Sequence, residues 1–336
     1  MTSIGLGDLS QQFQMRTQNM LLKQRLQVTS EQVTTGVAAD PARHLNGATA
    51  PLATITREIA QINAYGVATA EAASALSFVQ TSLDTVNQTA NEAVESLLLA
   101  GVSPDQTLQT NAAADALNRL DQVISTLNVE FGGRSLFSGA AVDRPALSAA
   151  SEWFGDIQTA VSGATSVQDV LDTVDAWFDT PGGGFDTLAH LGSDTPASKF
   201  FIAEGTAVSG PPSVTDPAIK EVLKGLVLGA VLSDDALLSG VEGARDQLAQ
   251  TAGTSLLGAV DLLTGLQSNI GINEENIASV QVQHQTNLNA LEIAHNELIA
   301  VDPYEQATLL ESTQTQLETL YTITARLSRL NLADYL

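Results

Sequence analysis

The sequence lacks cysteine altogether, and it has few aromatic or basic residues. Without a thiol the chain can form neither disulfides nor thiolate-based sites. Aromatic residues make up only 4% of the 336 residues, while the hydrophobic content is 44%, a composition that suits narrow seams between helices better than a broad sheet core. Since 14 Lys and Arg stand against 38 Asp and Glu, we predict no surface that binds nucleic acid.

Long apolar runs and a secretory leader are also missing. The longest apolar stretch, LKGLVLGAVL at 223–232, is too short to cross a bilayer, so we predict no membrane partner. The first residues, MTSIGLGDLSQQFQ, contain neither a basic n-region nor an apolar h-region. We therefore expect that any export of this chain uses a route that recognises another feature.

What the sequence does contain is helical periodicity. From Ile55 to Ala100, apolar side chains recur at alternating steps of three and four residues, a heptad seam held over six repeats. The same spacing predicts a second helix from Ala113 to Phe131, ending at FGGR, and a third long helix from about 255 to 300. We therefore predict a mainly α fold: long antiparallel helical rods, a coiled-coil-like bundle, formed by both ends of the chain.

The middle of the chain differs from both ends in composition. Residues 140–250 hold 16 Asp and Glu against 5 Lys and Arg, together with many Gly and several Pro. SVQDVLDTVDAWF and DPAIKEVLKGLVLGAVL are predicted to be short helices, and KFFIAEGTAVSG is predicted to be a strand or hairpin. We predict a small acidic α+β domain, inserted at the tip of the rods, away from the helical seams and removable without loss of folding.

Two Asp-Pro pairs, Asp40-Pro41 and Asp302-Pro303, mark joints between segments. A proline at the first helical position after an aspartate N-cap begins a new helix. The joints and the composition together predict five segments. These are an N-terminal assembly helix (1–40), a long helical hairpin (41–139), the inserted domain (140–252), a C-terminal rod helix (253–301) and a C-terminal assembly helix (302–336).

Both terminal segments carry a thin apolar stripe, and the second stripe reaches the last residue. Ordering about 30 residues of backbone costs roughly 30–60 kcal/mol per helix, and lone helices are marginal in water. The two stripes are therefore predicted to need neighbours from other subunits. The predicted assembly interface consists of Leu6, Leu9, Phe13, Met20, Leu317, Leu320, Leu327, Leu330, Leu332 and Leu336.

Three short stretches resemble the flagellin family, which includes the hook-associated proteins. TTGVAADPARHL at 34–45 is similar to the family's Gly-then-Asp-Asp-Pro-Ala segment, with Ala39 in place of one Asp. GRSLFSG at 133–139 is similar to the family's G-R-x-L-F-x-G segment. The ending LETLYTITARLSRLNLADYL resembles the hook–filament junction members more than the flagellins.

The resemblance implies a structural subunit of the bacterial flagellum, an adaptor ring at the hook–filament junction needed for filament attachment and motility. The implied partners are further copies of the chain, flagellin, the other hook-associated junction protein and a cytoplasmic export chaperone. Export through the flagellar type III apparatus and an extracellular location are implied in the same way. Two alternatives stay open: a flagellin, which would be the bulk filament subunit, and a secreted coiled-coil effector.

No enzyme chemistry can be singled out from the spacing of residues. His284 and His295 lie 11 residues apart, about 16 Å along a helix, which is too far to chelate one ion, so we interpret them as polar seam positions. The glycine-rich PGGGFD at 181–186 lacks the Lys-Ser/Thr of a phosphate loop. We therefore predict no catalytic residue, no metal and no cofactor.

Overall fold

The computed structural model describes residues 6–103 and 105–333, with side chains described for residues 10, 13–103 and 105–326. The chain is 73% helical, and the described residues form two small antiparallel sheets of two strands each. The predicted fold class, mainly α with long helices and a small α+β part, is confirmed. Contacts divide the chain into unit 1, residues 1–62 with 285–336, and unit 2, residues 63–284.

The elements follow one another in a simple order. The helices are α1 (Leu6–Thr35), α2 (Pro41–His44), α3 (Ala50–Gly101), α4 (Gln106–Leu127), α5 (Ala150–Val161), α6 (Val167–Asp179), α7 (Pro217–Ala230), α8 (Ala244–Ile299) and α9 (Pro303–Ala333). The strands are β1 (Glu130–Phe131), β2 (Arg134–Ser135), β3 (Phe200–Ala203) and β4 (Thr206–Val208). A π-helical turn covers Phe185–Ala189, and a 3₁₀ turn covers Val231–Ser233.

The predicted heptad seam of α3 forms the centre of unit 2. From Thr69 to Ala100 every predicted seam residue is buried, whereas Ile55, Ile62 and Tyr65 are half-buried. The α8 helix lies along this seam, since Gln80 Nε2 of α3 donates to the Gln267 carbonyl of α8 at 3.0 Å. On α4, Arg119 forms an ion pair with Glu92 of α3 at 2.5 Å. The long helices of unit 2 therefore share one continuous apolar core.

The second predicted helix ends earlier than expected. We predicted that it runs to Phe131, but α4 ends at Leu127, and residues 130–135 form the hairpin of β1 and β2. Gly132 and Gly133 at its tip have φ values of +59° and +75°. Two central residues with positive φ produce a turn whose twist suits a two-residue hairpin, so the glycine pair closes a hairpin instead of capping a helix.

The α7 helix is part of the unit 2 core and packs along α4. From Val222 to Ala230 every residue is buried, including Lys224. Two glycines of α7 lie in close contact with other helices. A Cβ atom at Gly229 would lie 2.8 Å from Leu97 Cδ2 of α3 and 3.1 Å from Ala116 Cβ of α4, and a Cβ atom at Gly225 would lie 2.9 Å from Leu256 Cδ1 of α8. This differs from our expectation that the whole segment 140–252 lies away from the helical seams.

We expect Gly229→Ala to lower the free energy of unfolding by roughly 1–2 kcal/mol, because overpacking a filled site costs about 1–3 kcal/mol and outweighs the helix-propensity gain of about 0.5–1 kcal/mol. Gly258→Ala in α8 is the matched control, since nothing lies within 4 Å of its Cβ position. The Gly258→Ala variant should be slightly more stable than the native chain, because it has the higher helix propensity of alanine without any overpacking. Urea unfolding of both variants measures the difference, and equal responses would contradict the close packing at Gly229.

Helices α5 and α6 enclose an aromatic cluster in unit 2. Trp153 and Trp177 stack with ring centroids 5.2 Å apart, and Trp177 Nε1 donates to Asp156 at 2.9 Å. Lys224 of α7 contacts Asp179 of α6, and its Nζ lies 2.8 Å from Glu221 Oε1. Although burial opposes its charge, hydrogen bonds to these two carboxylates hold the pKa of Lys224 above its ordinary value. Packing and ion pairing therefore account for the Trp and Asp residues of the DAWFD stretch in α6.

Candidate assembly interface

Unit 1 is organised around the pairing of α1 with α9. Gly36, with φ +74°, ends α1, and Asp302 begins α9 by accepting from the backbone amides of Tyr304 and Glu305. Asp40 caps α2 in the same way, accepting from the Arg43 amide at 3.1 Å. The predicted aspartate N-caps before both prolines are therefore confirmed.

Two backbone hydrogen bonds tie the end of α1 to the start of α9. The Ala38 amide donates to the Ile299 carbonyl at 2.8 Å, and the Val301 amide donates to the Gly36 carbonyl at 3.0 Å. Ala38, Ile299 and Val301 are buried around this bridge. The bridge fixes where the two helices begin to run side by side.

The α1–α9 pair buries little of its own surface. Among the described side chains of unit 1, the buried ones are Thr29, Ala38, Ile299, Val301, Thr313 and Leu317. Both threonines use their hydroxyls within their own helix, donating to the Arg25 and Leu309 carbonyls. A fully buried Leu or Val contributes about 1.5–3 kcal/mol, whereas ordering each residue costs about 1–2 kcal/mol. This short apolar contact therefore cannot by itself offset the ordering of two helices of 30 and 31 residues.

Large apolar side chains remain exposed on the same pair of helices. On α1, Phe13 is 72% exposed, Met20 64% and Leu21 57%; on α9, Tyr304 and Tyr321 are also exposed. We call Phe13, Met20 and Leu21 the α1 apolar face. Phe13 and Met20 lie seven residues apart and so share one side of α1, which makes this exposed apolar row a candidate interaction surface.

A groove runs between the two helices beside this face. Its volume is about 520 Å³. Its lining combines leucine and isoleucine with short polar side chains: Gln18, Leu21, Leu22, Thr315, Gln316, Thr319, Leu320 and Ile323. At its rim the Lys23 Nζ lies 6.0 Å from the Tyr321 ring centroid, a cation–π contact. The groove lining therefore combines apolar and polar side chains, as protein interfaces do.

Charge is distributed unequally between the two units. Unit 2 contains 27 acidic and 7 basic residues, a net charge of −20, whereas unit 1 contains 11 acidic and 7 basic residues, a net charge of −4. Copies that approach each other through unit 2 surfaces therefore repel more strongly than copies that approach through unit 1. Unit 1 is electrostatically the better place for contact between copies.

The predicted interface residues fall into three groups. Phe13 and Met20 are exposed, and Leu320 lines the groove. Leu317 is 6% exposed, so in the single chain it belongs to the contact between α1 and α9. Leu6 and Leu9 lie in α1, and Leu327, Leu330 and Leu332 lie in α9, with side chains outside the described part, while Leu336 lies outside the described residues.

Leu21 and Leu22 line the groove but were not among the predicted interface residues. Leu21 and Leu22 directly follow Met20, so three consecutive apolar residues widen the stripe beyond a single heptad face. This local run was the signal available in the sequence. Their importance follows only from the position of α9, which leaves Leu21 57% exposed beside the groove.

The described residues show no group of His, Cys, Asp or Glu able to hold a metal ion. His284 Nδ1 is buried, and its ring stacks on Tyr65 with centroids 6.2 Å apart, consistent with a seam position. Within the described chain, no helix is long and apolar enough to cross a membrane. Among the described residues, the apolar surface of unit 1 is the candidate functional site.

The fold resembles two solved flagellar structures. One is described as a candidate flagellar hook-associated protein from Vibrio parahaemolyticus; it is 17% identical, with a TM-score of 0.53 over 74% of this chain and 96% of that chain. The other is FlgL from Bacillus cereus, 12% identical, with a TM-score of 0.52 over 73% of this chain and all of that chain. No protein-family model matches this chain, and no curated protein matches it significantly. At these identities the likeness shows the fold: this chain has the fold of flagellar hook-associated proteins.

Proposed function

We propose that this chain is a structural subunit of the bacterial flagellum, without enzymatic activity, that forms an adaptor ring between the hook and the filament. The observation that carries the proposal is the coincidence of the hook-associated fold with an exposed apolar surface on paired terminal helices. A structural subunit needs such a surface, because its own helices bury too little to be stable alone.

The proposed interface consists of the α1 apolar face, the adjoining groove and the apolar residues near the end of α9. Its first partner is another copy of the chain, and its further partners are flagellin and the other hook-associated junction protein. A cytoplasmic chaperone would cover the same apolar residues before type III export carries the chain to the extracellular flagellum. The chain segments at 1–40 and 302–336 act as the assembly helices in this proposal.

Abundance and position separate an adaptor from a bulk filament subunit. Filaments sheared from cells should contain this chain at a level far below that of flagellin, since a ring contributes few copies and a filament many. Removing the gene should leave hooks without filaments and release flagellin into the medium. Quantitative mass spectrometry of sheared filaments and electron microscopy of isolated hook–basal bodies provide the two measurements.

The two alternatives give different results in the same experiment. A flagellin would dominate the sheared filaments, and its loss would leave no flagellin to release. A secreted coiled-coil effector would be found free in the medium, and its removal would leave filaments attached. Attached filaments in the deletion strain would therefore overturn the adaptor proposal.

A further inference from the structure

In unit 2, residues 188–195 form a short strap that is fastened to residues 138–148. Hydrogen bonds of 2.9–3.0 Å join the two segments, donated by the amides of Leu191, Ser193, Ala140 and Ser148 to the carbonyls of Ala146, Ser138, Thr195 and Ala189. At Gly139, with φ +65°, a Cβ atom would lie 2.5 Å from the Ser193 carbonyl oxygen. The two segments are therefore in close backbone contact along their length.

His190 lies at the centre of this strap. Its backbone pairs with Leu147 in an antiparallel bridge, and its amide donates to the Phe185 carbonyl at 2.8 Å. The imidazole, with its side chain only 5% exposed, stacks on the Phe185 ring at a centroid distance of 5.9 Å and an interplanar angle of 5°. The backbone of Gly192 packs closely beside the ring, since a Cβ atom at this position would lie 2.8 Å from His190 Nε2.

The two imidazole nitrogens have different surroundings. Nδ1 faces the largely exposed Asp194, whose Oδ1 lies 3.6 Å away. Nε2 is buried and has no hydrogen-bond partner. A neutral imidazole can keep an unprotonated nitrogen there, whereas an imidazolium would place an N–H donor at a buried position that has no hydrogen-bond partner in the closed strap. Leaving a buried donor unpaired is unfavourable.

The charged groups near the ring act in opposite directions. Burial is the largest effect and lowers the pKa of His190; Asp194 and Asp186 oppose this change, while Lys220 lowers the pKa further. Lys220 Nζ lies 4.9 Å from the Phe185 ring centroid, so the ring on which His190 stacks also contacts a cation. The closed strap therefore favours the neutral imidazole.

We propose that His190 is a proton-sensitive latch: the neutral imidazole holds the 188–195 strap against residues 138–148, and protonation of Nε2 releases the strap. Opening transfers the ring to water, where a proton meets no burial penalty and no unpaired donor. The device is local to this part of unit 2 and does not involve the proposed assembly helices.

The direction of the pH dependence follows from linkage. The open strap has the ordinary histidine pKa of about 6.5, and the closed strap has a lower one. The contribution of neutral His190 to the stability of the closed strap is therefore fully present above about pH 6.5, and it is lost as pH falls toward the pKa of His190 in the closed strap. Across that interval the opening equilibrium constant should rise by up to about tenfold for each pH unit.

Hydrogen exchange on the full chain tests the latch. After correction for intrinsic exchange chemistry, the amides of Leu191, Ser193 and Ser148 should lose protection between pH 7 and pH 5. In His190→Phe, which keeps a ring on Phe185 but cannot accept a proton, the corrected protection should not change over this range. His44→Phe, a change at an exposed histidine of unit 1, is the matched control and should retain the pH response.

Titration of the imidazole C2 proton by NMR provides a second measurement that does not depend on the stability of a variant. His190 should titrate at a lower pH in the native chain than in the urea-unfolded chain, and Asp194→Asn should move its native midpoint to still lower pH by removing an opposing carboxylate. A native midpoint at or above the unfolded one would overturn the proposal. An identical loss of protection in the native chain and in His190→Phe would overturn it as well.

Discussion

A chain in which Gly139 is joined to Gly253 by a short linker should fail to fold cooperatively. The excised segment includes α7, whose Ile219, Val222, Leu223, Leu226 and Val227 are at most 1% exposed. Burying side chains of this kind stabilises by about 1.5–3 kcal/mol each, so their loss removes roughly 8–15 kcal/mol. That range equals the whole stability of a typical domain, about 5–15 kcal/mol, and the exposed α4 surface would then promote aggregation.

This result would contradict the prediction from composition that the segment 140–252 can be removed without loss of folding. Circular dichroism, thermal unfolding and size-exclusion chromatography of the shortened chain measure it. A smaller change to the same packing is Leu226→Ala in α7, which should lower the free energy of unfolding by about 2–5 kcal/mol. The matched control is Leu262→Ala, because Leu262 is 52% exposed and should change stability by less than about 0.5 kcal/mol. A shortened chain with a sharp, native-like transition would show that α7 is dispensable.

Replacing Phe13 and Met20 together by serine should abolish filament attachment while leaving the thermal melt of the single chain almost unchanged. Both side chains are largely exposed in the single chain, so folding does not depend on them. If assembly buries them, each contributes about 1.5–3 kcal/mol per subunit. The combined loss of about 3–6 kcal/mol would weaken each contact between subunits by roughly 10²–10⁴-fold.

Cells that carry this double variant should be non-motile, with bare hooks and flagellin in the medium. Electron microscopy of hooks and a blot of the culture supernatant measure this outcome, alongside the melting temperature of the purified chain. Phe201→Ser is the matched control, since Phe201 is 66% exposed on β3 of unit 2 and lies outside the proposed interface. Normal swimming of the double variant would exclude the α1 apolar face as an assembly surface.

Leu317→Ala, unlike the replacement of Phe13 and Met20, should destabilise unit 1 already in the single chain. Because Leu317 is buried in the single chain, its truncation should lower the protection of α9 amides by hydrogen exchange even before assembly. A cost of about 2–5 kcal/mol is usual for a buried leucine, and less is expected here because the α1–α9 contact is thin. Leu309→Ala, at a position 36% exposed, is the control. Equal protection in the two variants would contradict the burial of Leu317 against α1.

Local patterns were sufficient to predict the elements that depend on neighbouring residues in the sequence. The α3 seam, the aspartate caps at Asp40 and Asp302, and the hairpin of β3 and β4 all follow from spacing, capping or turn chemistry. The end of α4 was placed four residues late, because Phe131 continues the apolar spacing while Gly132 and Gly133 form a hairpin turn. Periodicity alone could not distinguish a helix end from a hairpin there.

The sequence by itself determined that this chain is mainly helical, that its helices carry apolar seams, and that its terminal segments carry thin apolar stripes. These are consequences of local periodicity and of the cost of ordering a chain. Only the tertiary structure decided that α7 belongs to the core, that Leu317 faces inward while Phe13 remains exposed, and that His190 lies buried beside Phe185. Which of two apolar residues is covered depends on packing between segments distant in sequence, and composition contains no information about that packing.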